Sequence, residues 1–208
     1  MMRRILTILL VVGSAVLPFS GLIRAEVTGF GVKAGLSYAD IHGHDVYEQR
    51  PRMGFGAGAF LTFGLGSSFA VQPEVLFVMK GSKYSNGSGA DVYRETLGLD
   101  YIEVPVLIKF FLPVAESFRL HLFAGPSLAF KVRAQVKATF GGETEVETLD
   151  NVKNTDFGLA AGLGMELPLG RGRLTLDLRY TAGMGSLSKG TDDDIKNGAL
   201  GLFAGYSF

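Results

Sequence analysis

Charged residues occur at every second position within several apolar stretches, which places them on one face of a strand. Asp177 and Arg179, for example, alternate with leucine and tyrosine. Such a row could line a selective pore or a ligand site, or it could form ion pairs that fill a narrow interior. Mixed charge signs favour a lumen polar network of paired charges. Its predicted members are Lys33, Glu74, Lys80, Glu103, Lys109, Arg119, His121, Lys131, Arg133, Asp156, Glu166, Asp177 and Arg179.

His121 is the only histidine within a predicted strand, and histidine is a common catalytic base. Serine catalysis would require a hydroxyl within hydrogen-bond distance of that base. Ser127 shares the inward face with His121, but three same-face steps separate the two residues, roughly 20 Å at the usual strand rise. We therefore predict no catalytic residue.

Two loop segments carry side chains that could bind a metal ion. His42, His44 and Asp45 offer imidazole and carboxylate ligands, and Asp192–Asp194 offers three carboxylates without the glycine-spaced pattern of a calcium loop. Solvated loops are the simpler interpretation, so we predict no metal site and no cofactor. Glu143, Glu145 and Glu147 alternate with Thr and Val, which indicates a strand extension.

The segment from Met53 to Pro73 is long and free of charge, but its residue order indicates strands. Gly54, Gly56 and Gly58 fall at period two, which puts them on one face of a strand, whereas a helix would lose about 1 kcal/mol at each glycine. A Gly-Ser turn at 64–68 then divides the segment into two strands.

The same period of two recurs along the chain and predicts an all-β fold, an eight-stranded antiparallel up-and-down transmembrane β-barrel. Short connections alternate with long ones, as in outer-membrane barrels with short periplasmic turns and long external loops. The predicted strands cover 28–40, 52–63, 68–81, 98–112, 117–137, 154–168, 172–184 and 196–208. The short connections lie near 64–67, 113–116 and 169–171, and the long ones at 41–51, 82–97, 138–153 and 185–195.

The composition of the two strand faces indicates which one contacts lipid. The polar face is rich in Gly and Ala with isolated charges, for example Gly31, Lys33 and Gly35, which suits the narrow interior of eight strands. The other face consists of Leu, Val, Ile, Phe and Ala almost without charge, as lipid contact requires. A soluble barrel with an apolar interior is the less favoured alternative.

Bulk composition excludes several classes of protein. Lys and Arg together equal Asp and Glu at 20 each, so no basic surplus indicates nucleic-acid binding. Cysteine is absent, which excludes a disulfide framework, a thiolate metal site and a lipidated N-terminal cysteine.

The N-terminus has the pattern of an export signal. Met1–Arg4 is cationic, and the following apolar run from Ile5 to Phe19 is short for a spanning helix. We expect cleavage after Ala25, with Ser20 as the alternative, which gives a signal peptide at 1–25 and a barrel domain at 26–208. An uncleaved anchor is the remaining alternative.

The C-terminus has the pattern of an assembly signal for outer-membrane barrels. Leu200, Leu202 and Ala204 continue to Tyr206 and Phe208 in an alternating apolar row that ends on an aromatic residue. We predict that Tyr206 and Phe208 are recognised by the outer-membrane assembly machinery.

Four strand segments have a distinctive residue pattern: 31–37, 71–77 with Lys80-Gly81, 101–109 and 123–128. They resemble the outer-membrane β-barrel domain family that includes PorT-like proteins of Bacteroidetes-type bacteria. The resemblance covers nearly the whole mature chain, and it implies this fold and an outer-membrane location in a Gram-negative cell. PorT itself serves protein secretion, so the resemblance implies a secretion-associated role only weakly.

The leading functional hypothesis is a non-enzymatic barrel that acts through its external loops or through a complex with a protein partner, in a structural, adhesion or secretion-associated role. The alternatives are a narrow transport pore and a lipid-A-modifying enzyme. Expected partners are outer-membrane lipids and lipopolysaccharide, the assembly machinery and a protein complex, with no nucleic acid.

Overall fold

A computed structural model describes residues 26–42, 49–87, 92–112, 114, 117–186 and 196–208. None of these ranges contains a helix long and apolar enough to cross a membrane. The regular elements of these ranges are strands: β1 (Glu26–His42), β2 (Arg50–Gly64), β3 (Phe69–Asn86), β4 (Tyr93–Leu112), β5 (Arg119–Phe140), β6 (Glu143–Thr148), β7 (Thr155–Leu169), β8 (Gly172–Gly183) and β9 (Lys196–Ser207).

The strands form a closed antiparallel barrel. The chain meanders from β1 to β5, and β9 pairs with both β8 and β1, so that the sheet closes on itself. β7 pairs with Arg119–Phe130 of β5, and β6 pairs with Gln135–Phe140 of the same strand. β6 and β7 are therefore two sections of the same strand, which runs back toward the short-turn end. Counted in this way, the barrel has eight strands. This arrangement confirms the predicted fold class.

The structure lengthens several strands and corrects one predicted loop. β4 begins at Tyr93 instead of 98, and β3 continues to Asn86 instead of 81. The interval 138–153, predicted as a long connection, instead contains the end of β5, a tight turn and β6. Gly141 and Gly142 make that turn with φ values of 58° and 86°, a conformation that glycine adopts without strain.

Four strands continue past the barrel as one sheet, which we call the external sheet. It comprises residues 81–86 of β3, 93–100 of β4, 133–140 of β5 and the whole of β6. The external sheet stands at the end of the barrel where the long connections lie, and the opposite end carries the short turns at Gly66 and Gly170.

The barrel exposes its apolar side chains and buries its polar ones. Leu36, Ile108 and Leu163 are each more than half exposed, whereas Lys33 and Asp177 are buried. Lipid explains this inversion, since an apolar surface of this kind is stable only in a membrane. Gly125 shows how tightly neighbouring strands pack, because a Cβ there would clash with the carbonyl oxygen of Val106.

Candidate functional site

Two acids and two bases form the centre of the lumen. Lys33 Nζ on β1 lies 2.9 Å from Glu74 Oε1 on β3 and 2.7 Å from Asp177 Oδ2 on β8. Arg179 Nη2 on β8 lies 2.7 Å from Glu74 Oε2. All four side chains are almost completely buried, so the charges compensate one another away from bulk water.

A second branch of the network leads toward the short-turn end. Gln72 donates to Glu74 at 2.6 Å and accepts from Lys109 Nζ at 3.2 Å. Lys109 also lies 3.0 Å from Glu166, which in turn accepts from Arg119 at 2.6 Å. The sequence prediction did not include Gln72, although its position two residues before Glu74 on β3 already placed it on the inward face.

His121 joins the network through Asp177. Its Nε2 lies 2.9 Å from Asp177 Oδ1, and its ring packs beside Phe111 and Phe123 with centroids 5.9 and 5.8 Å away. No serine or threonine hydroxyl of the described ranges forms a hydrogen bond with His121. This histidine-aspartate pair therefore lacks the nucleophile that a hydrolytic triad requires.

Above this network, Lys80 forms an ion pair with Glu103. These two residues and Arg179 line a cavity of about 10 Å³, together with Thr181 and Phe203. A space of this size is on the order of what one water molecule occupies. It is too small for a ligand.

An apolar cluster, which we call the apolar plug, closes the lumen at the external end. It consists of Ile41, Leu99, Tyr101, Ala129 and Ala134, with Leu97, Leu149 and Val152 packed against it. Tyr101 is 1% exposed and is the largest fully buried side chain of the described residues. Tyr101 lies two residues before the inward Glu103 on β4, which places it on the inward face, but the sequence did not indicate that it helps to close the barrel.

Two predicted members of the network lie near the apolar plug. Lys131 is half-buried and donates to the carbonyl oxygen of Val152 at 2.7 Å. Asp156 is buried beside Gly183 and Gly185, at the external end of β7. These two residues are separate from the central cluster around Glu74.

The expectation for Arg133 needs correction, because this residue is not buried in the lumen. Its side chain is 53% exposed, and it forms an ion pair with Asp100. The pairing of β4 with β5 shifts there, since Asp100 faces Arg133 while Tyr101 faces Lys131. The extra residue, Val132, forms a bulge that reverses the alternation, and Ala134 takes the buried position instead.

The structure contains little to hold a metal. Within the described ranges, no group of three or more His, Cys, Asp or Glu side chains is placed to bind a metal ion. Glu143, Glu145 and Glu147 lie exposed on β6, as the predicted strand extension requires. His44, Asp45 and Asp192–Asp194 lie outside the described residues, as does the predicted signal peptide.

The two aromatic residues of the predicted assembly signal lie at the barrel seam. Phe208 stacks on Phe30 of β1 with centroids 5.0 Å apart, and its backbone N–H donates to the carbonyl oxygen of Phe30 at 2.8 Å. The hydroxyl of Tyr206 donates to the carbonyl oxygen of Leu169 at 2.9 Å. The terminal residues thus contact β1 on one side of β9 and, beyond β8, the end of β7 on the other side.

Comparison with solved structures shows the same fold. Neisserial surface protein A is 14% identical with a TM-score of 0.50, and the match covers 88% of this chain and 99% of that one. OprG from Pseudomonas aeruginosa is 13% identical (TM-score 0.48, 90% and 99% covered). Ail of Yersinia pestis is 16% identical (TM-score 0.44, 88% and 100% covered).

No curated protein sequence matches the chain. The family model described as "Outer membrane protein beta-barrel domain" matches residues 26–189. That match covers most of the chain, and it agrees with the closed barrel, the lipid-facing apolar surface and the polar interior. The chain is an outer-membrane protein and belongs to the outer membrane protein beta-barrel domain family.

Proposed function

We propose that this protein is a non-enzymatic outer-membrane barrel that acts at the cell surface by binding a protein partner through its external sheet. One observation carries the proposal: the lumen is filled, while an ordered sheet with a free edge extends beyond the barrel. The barrel then serves as the anchor, and the external sheet is the working part.

The filled lumen argues against a transport pore, the second candidate. A solute would have to pass the ion pairs around Glu74 and then the apolar plug around Tyr101. Separating buried ion pairs is costly, because each charge would lose its partner in a poorly hydrated space. The water-sized cavity beside Lys80 and Glu103 is the one observation that favours a pore. It could become part of a continuous path only if the ion pairs around Glu74 and the apolar plug opened together.

The free edge belongs to β6. β6 pairs with β5 on one side, and no other described strand pairs with it. An open strand edge presents unpaired N–H and C=O groups, to which an extended segment of another chain can add as a further strand. Glu143, Glu145 and Glu147 on this edge strand would favour a partner segment with basic side chains.

A lipid-modifying enzyme, the third candidate, fits the geometry less well. His121 is 1% exposed and lies inside the barrel, where a lipid head group at the membrane surface does not reach it. The resemblance to PorT-like proteins supports a secretion-associated partner complex, with an adhesion or structural role as alternatives. We also propose export through a cleaved signal peptide at residues 1–25, which rests on the cationic and apolar pattern there.

Photo-crosslinking on intact cells tests the proposed partner binding. A photoreactive residue at Val146 of β6 should give a discrete crosslinked band that a matched position in the short turn, Ser67, does not give. Purified crosslinked material would then be identified by mass spectrometry. The proposal would be refuted if the photoreactive residue at Val146 gave no crosslinked band and the wild-type protein conducted ions stably in planar bilayers.

A further inference from the structure

The two faces of the external sheet carry opposite charges. Positions 94, 96, 98 and 100 of β4 continue the outward row of Ile108 and Val106, so they share the lipid-facing side of the barrel. The directly paired residues of β3 and β5 lie on the same side as these positions. In the strand register, Lys83 of β3 and Lys137 of β5 lie directly opposite Thr96 of β4, one on each side of it. Both lysines therefore lie on the outward side.

This outward side is strongly cationic. Arg50 of β2 lies directly opposite Lys83 of β3. Arg52 lies 3.9 Å from Asp100, but its side chain is mostly buried and donates to the carbonyl oxygen of Lys80. Asp100 is the one acidic residue among the described residues of this side, and it is already paired with Arg133. We call the cations of this side the basic face: Arg50, Lys83, Arg94, Arg133 and Lys137.

The inward side of the same sheet is acidic. Glu143, Glu145 and Glu147 pair with Phe140, Ala138 and Val136, and Glu95 pairs with Ala138 from the other strand. The described part of the chain provides no ion-pair partner for four exposed cations of the basic face, Arg50, Lys83, Arg94 and Lys137. They are therefore available to an anion from outside the molecule.

The basic face continues directly from the apolar surface that contacts lipid. Along β4, Asp100 is two residues beyond Ile102, and Arg94 is eight residues beyond it, which corresponds to roughly 7 and 26 Å along the strand. Strands of such barrels tilt by about 40°. A lipid whose acyl chains pack on Ile108 and Val106 therefore has its head group at the level of the basic face.

We propose that the basic face binds the phosphorylated sugar head groups of lipids in the outer leaflet. Lys83, Arg94 and Lys137, which have no ion-pair partner among the described residues, contact the phosphates, and the half-exposed Arg133 lies below them. The guanidinium group suits phosphate especially well, because its planar N–H donors can bind two oxygens at once. This site holds the lipid on one side of the barrel, along β2 to β5.

Binding of lipid A to the purified full-length protein in detergent tests the proposal. The probes are lipid A with both phosphates and the same lipid after dephosphorylation. The wild type should prefer the phosphorylated form. The variant Lys83→Gln/Arg94→Gln/Lys137→Gln should lose that preference, with affinity lowered about 10-fold or more at low salt.

The matched control neutralises three charges on the other side of the same sheet. The variant Glu143→Gln/Glu145→Gln/Glu147→Gln should bind phosphorylated lipid A at least as tightly as the wild type. Heat-modifiable gel migration would show that each variant is folded. Should the cationic triple variant fail to fold, the single variants Lys83→Gln and Lys137→Gln and the salt dependence of wild-type binding provide the same test.

Three results would overturn the proposal. The wild type could bind both forms of the lipid equally, or the cationic and acidic variants could bind the phosphorylated form equally. Alternatively, the wild type could bind a soluble sulfated glycan that the cationic triple variant does not bind, while showing no affinity for phosphorylated lipid A.

Discussion

Lys33 Nζ on β1 lies 2.7 Å from Asp177 Oδ2 on β8, although β9 separates these two strands in the barrel. The same ammonium group also binds Glu74 on β3, two strands away in the other direction. One buried cation therefore connects strands on both sides of β9, the last strand to be made. Because β9 must pair with β1 to close the barrel, the ion pair between Lys33 and Asp177 stabilises the closed barrel.

Replacing Lys33 by Met should strongly destabilise the barrel. Glu74 would keep Arg179, but Asp177 would retain only His121, and breaking a buried ion pair typically costs about 3–5 kcal/mol. The free energy of unfolding in lipid vesicles, measured by urea titration, checks the effect. Lys137→Met, at an exposed position of the external sheet, is the control and should change this free energy by less than about 0.5 kcal/mol. Equal unfolding midpoints for the two variants would refute a bracing role.

The wild-type protein should conduct little or no current in planar bilayers, because the lumen has two barriers in series. Arg179 lies between the rings of Phe123 and Phe203, with its Cζ 5.4 and 5.5 Å from their centroids. Tyr101 fills the apolar plug. The double variant Arg179→Ala/Tyr101→Ala should show channel openings.

Arg171→Ala, in the exposed turn before β8, is the control for the conductance experiment and should stay silent. Stable, ion-selective openings of the wild type would contradict the filled lumen. A silent double variant that still shows the folded gel shift would mean that other side chains also close the lumen.

Single cysteines should report the orientation of the barrel, since the chain has no native cysteine. Glu145→Cys on β6 should react with a membrane-impermeant maleimide on intact cells. Ser67→Cys and Arg171→Cys, in the short turns, should react only after the outer membrane is permeabilised. The expectation rests on the short turns lying on the periplasmic side, and the reverse labelling pattern would invert the topology.

The C-terminal aromatic residues should be required for insertion. Replacing Tyr206 and Phe208 with Ser removes the stacking on Phe30 and the hydrogen bond to Leu169, and it also removes aromatic area at the membrane interface. The variant should accumulate poorly in the outer membrane and be degraded in the periplasm. Ser207→Ala is the matched control and should insert normally. Wild-type insertion of the double variant, with the usual heat-modifiable gel shift, would show that these residues are not the assembly signal.

Much of the barrel could be predicted from local patterns. Period-two alternation identified the eight strands of the barrel, and the Gly-rich polar face with its isolated charges indicated which face points inward. The turns at Gly66 and Gly170 were also identifiable, because a short polar segment separates two strands at each. These features depend on neighbouring residues alone, so a single sequence is sufficient to show them.

The partners of the inward charges could not be predicted in the same way. His121 and Asp177 are 56 residues apart, and Lys33 and Asp177 are 144 apart. Which charges meet depends on the register between neighbouring strands and on the stagger accumulated around the closed barrel. Alternation assigns a residue to a face but not to a height along the barrel.

Arg133 shows most clearly what the sequence determined and what only the tertiary structure decided. Counting in steps of two along β5 placed it inside with Lys131, since nothing in the local sequence marks Val132 as an extra residue. The bulge forms because β5 must keep pairing with β4 both below and above that point, where the two registers differ by one. The sequence thus determined the strands and their lipid-facing side, whereas pairing between strands decided which charges are buried and which form the basic face.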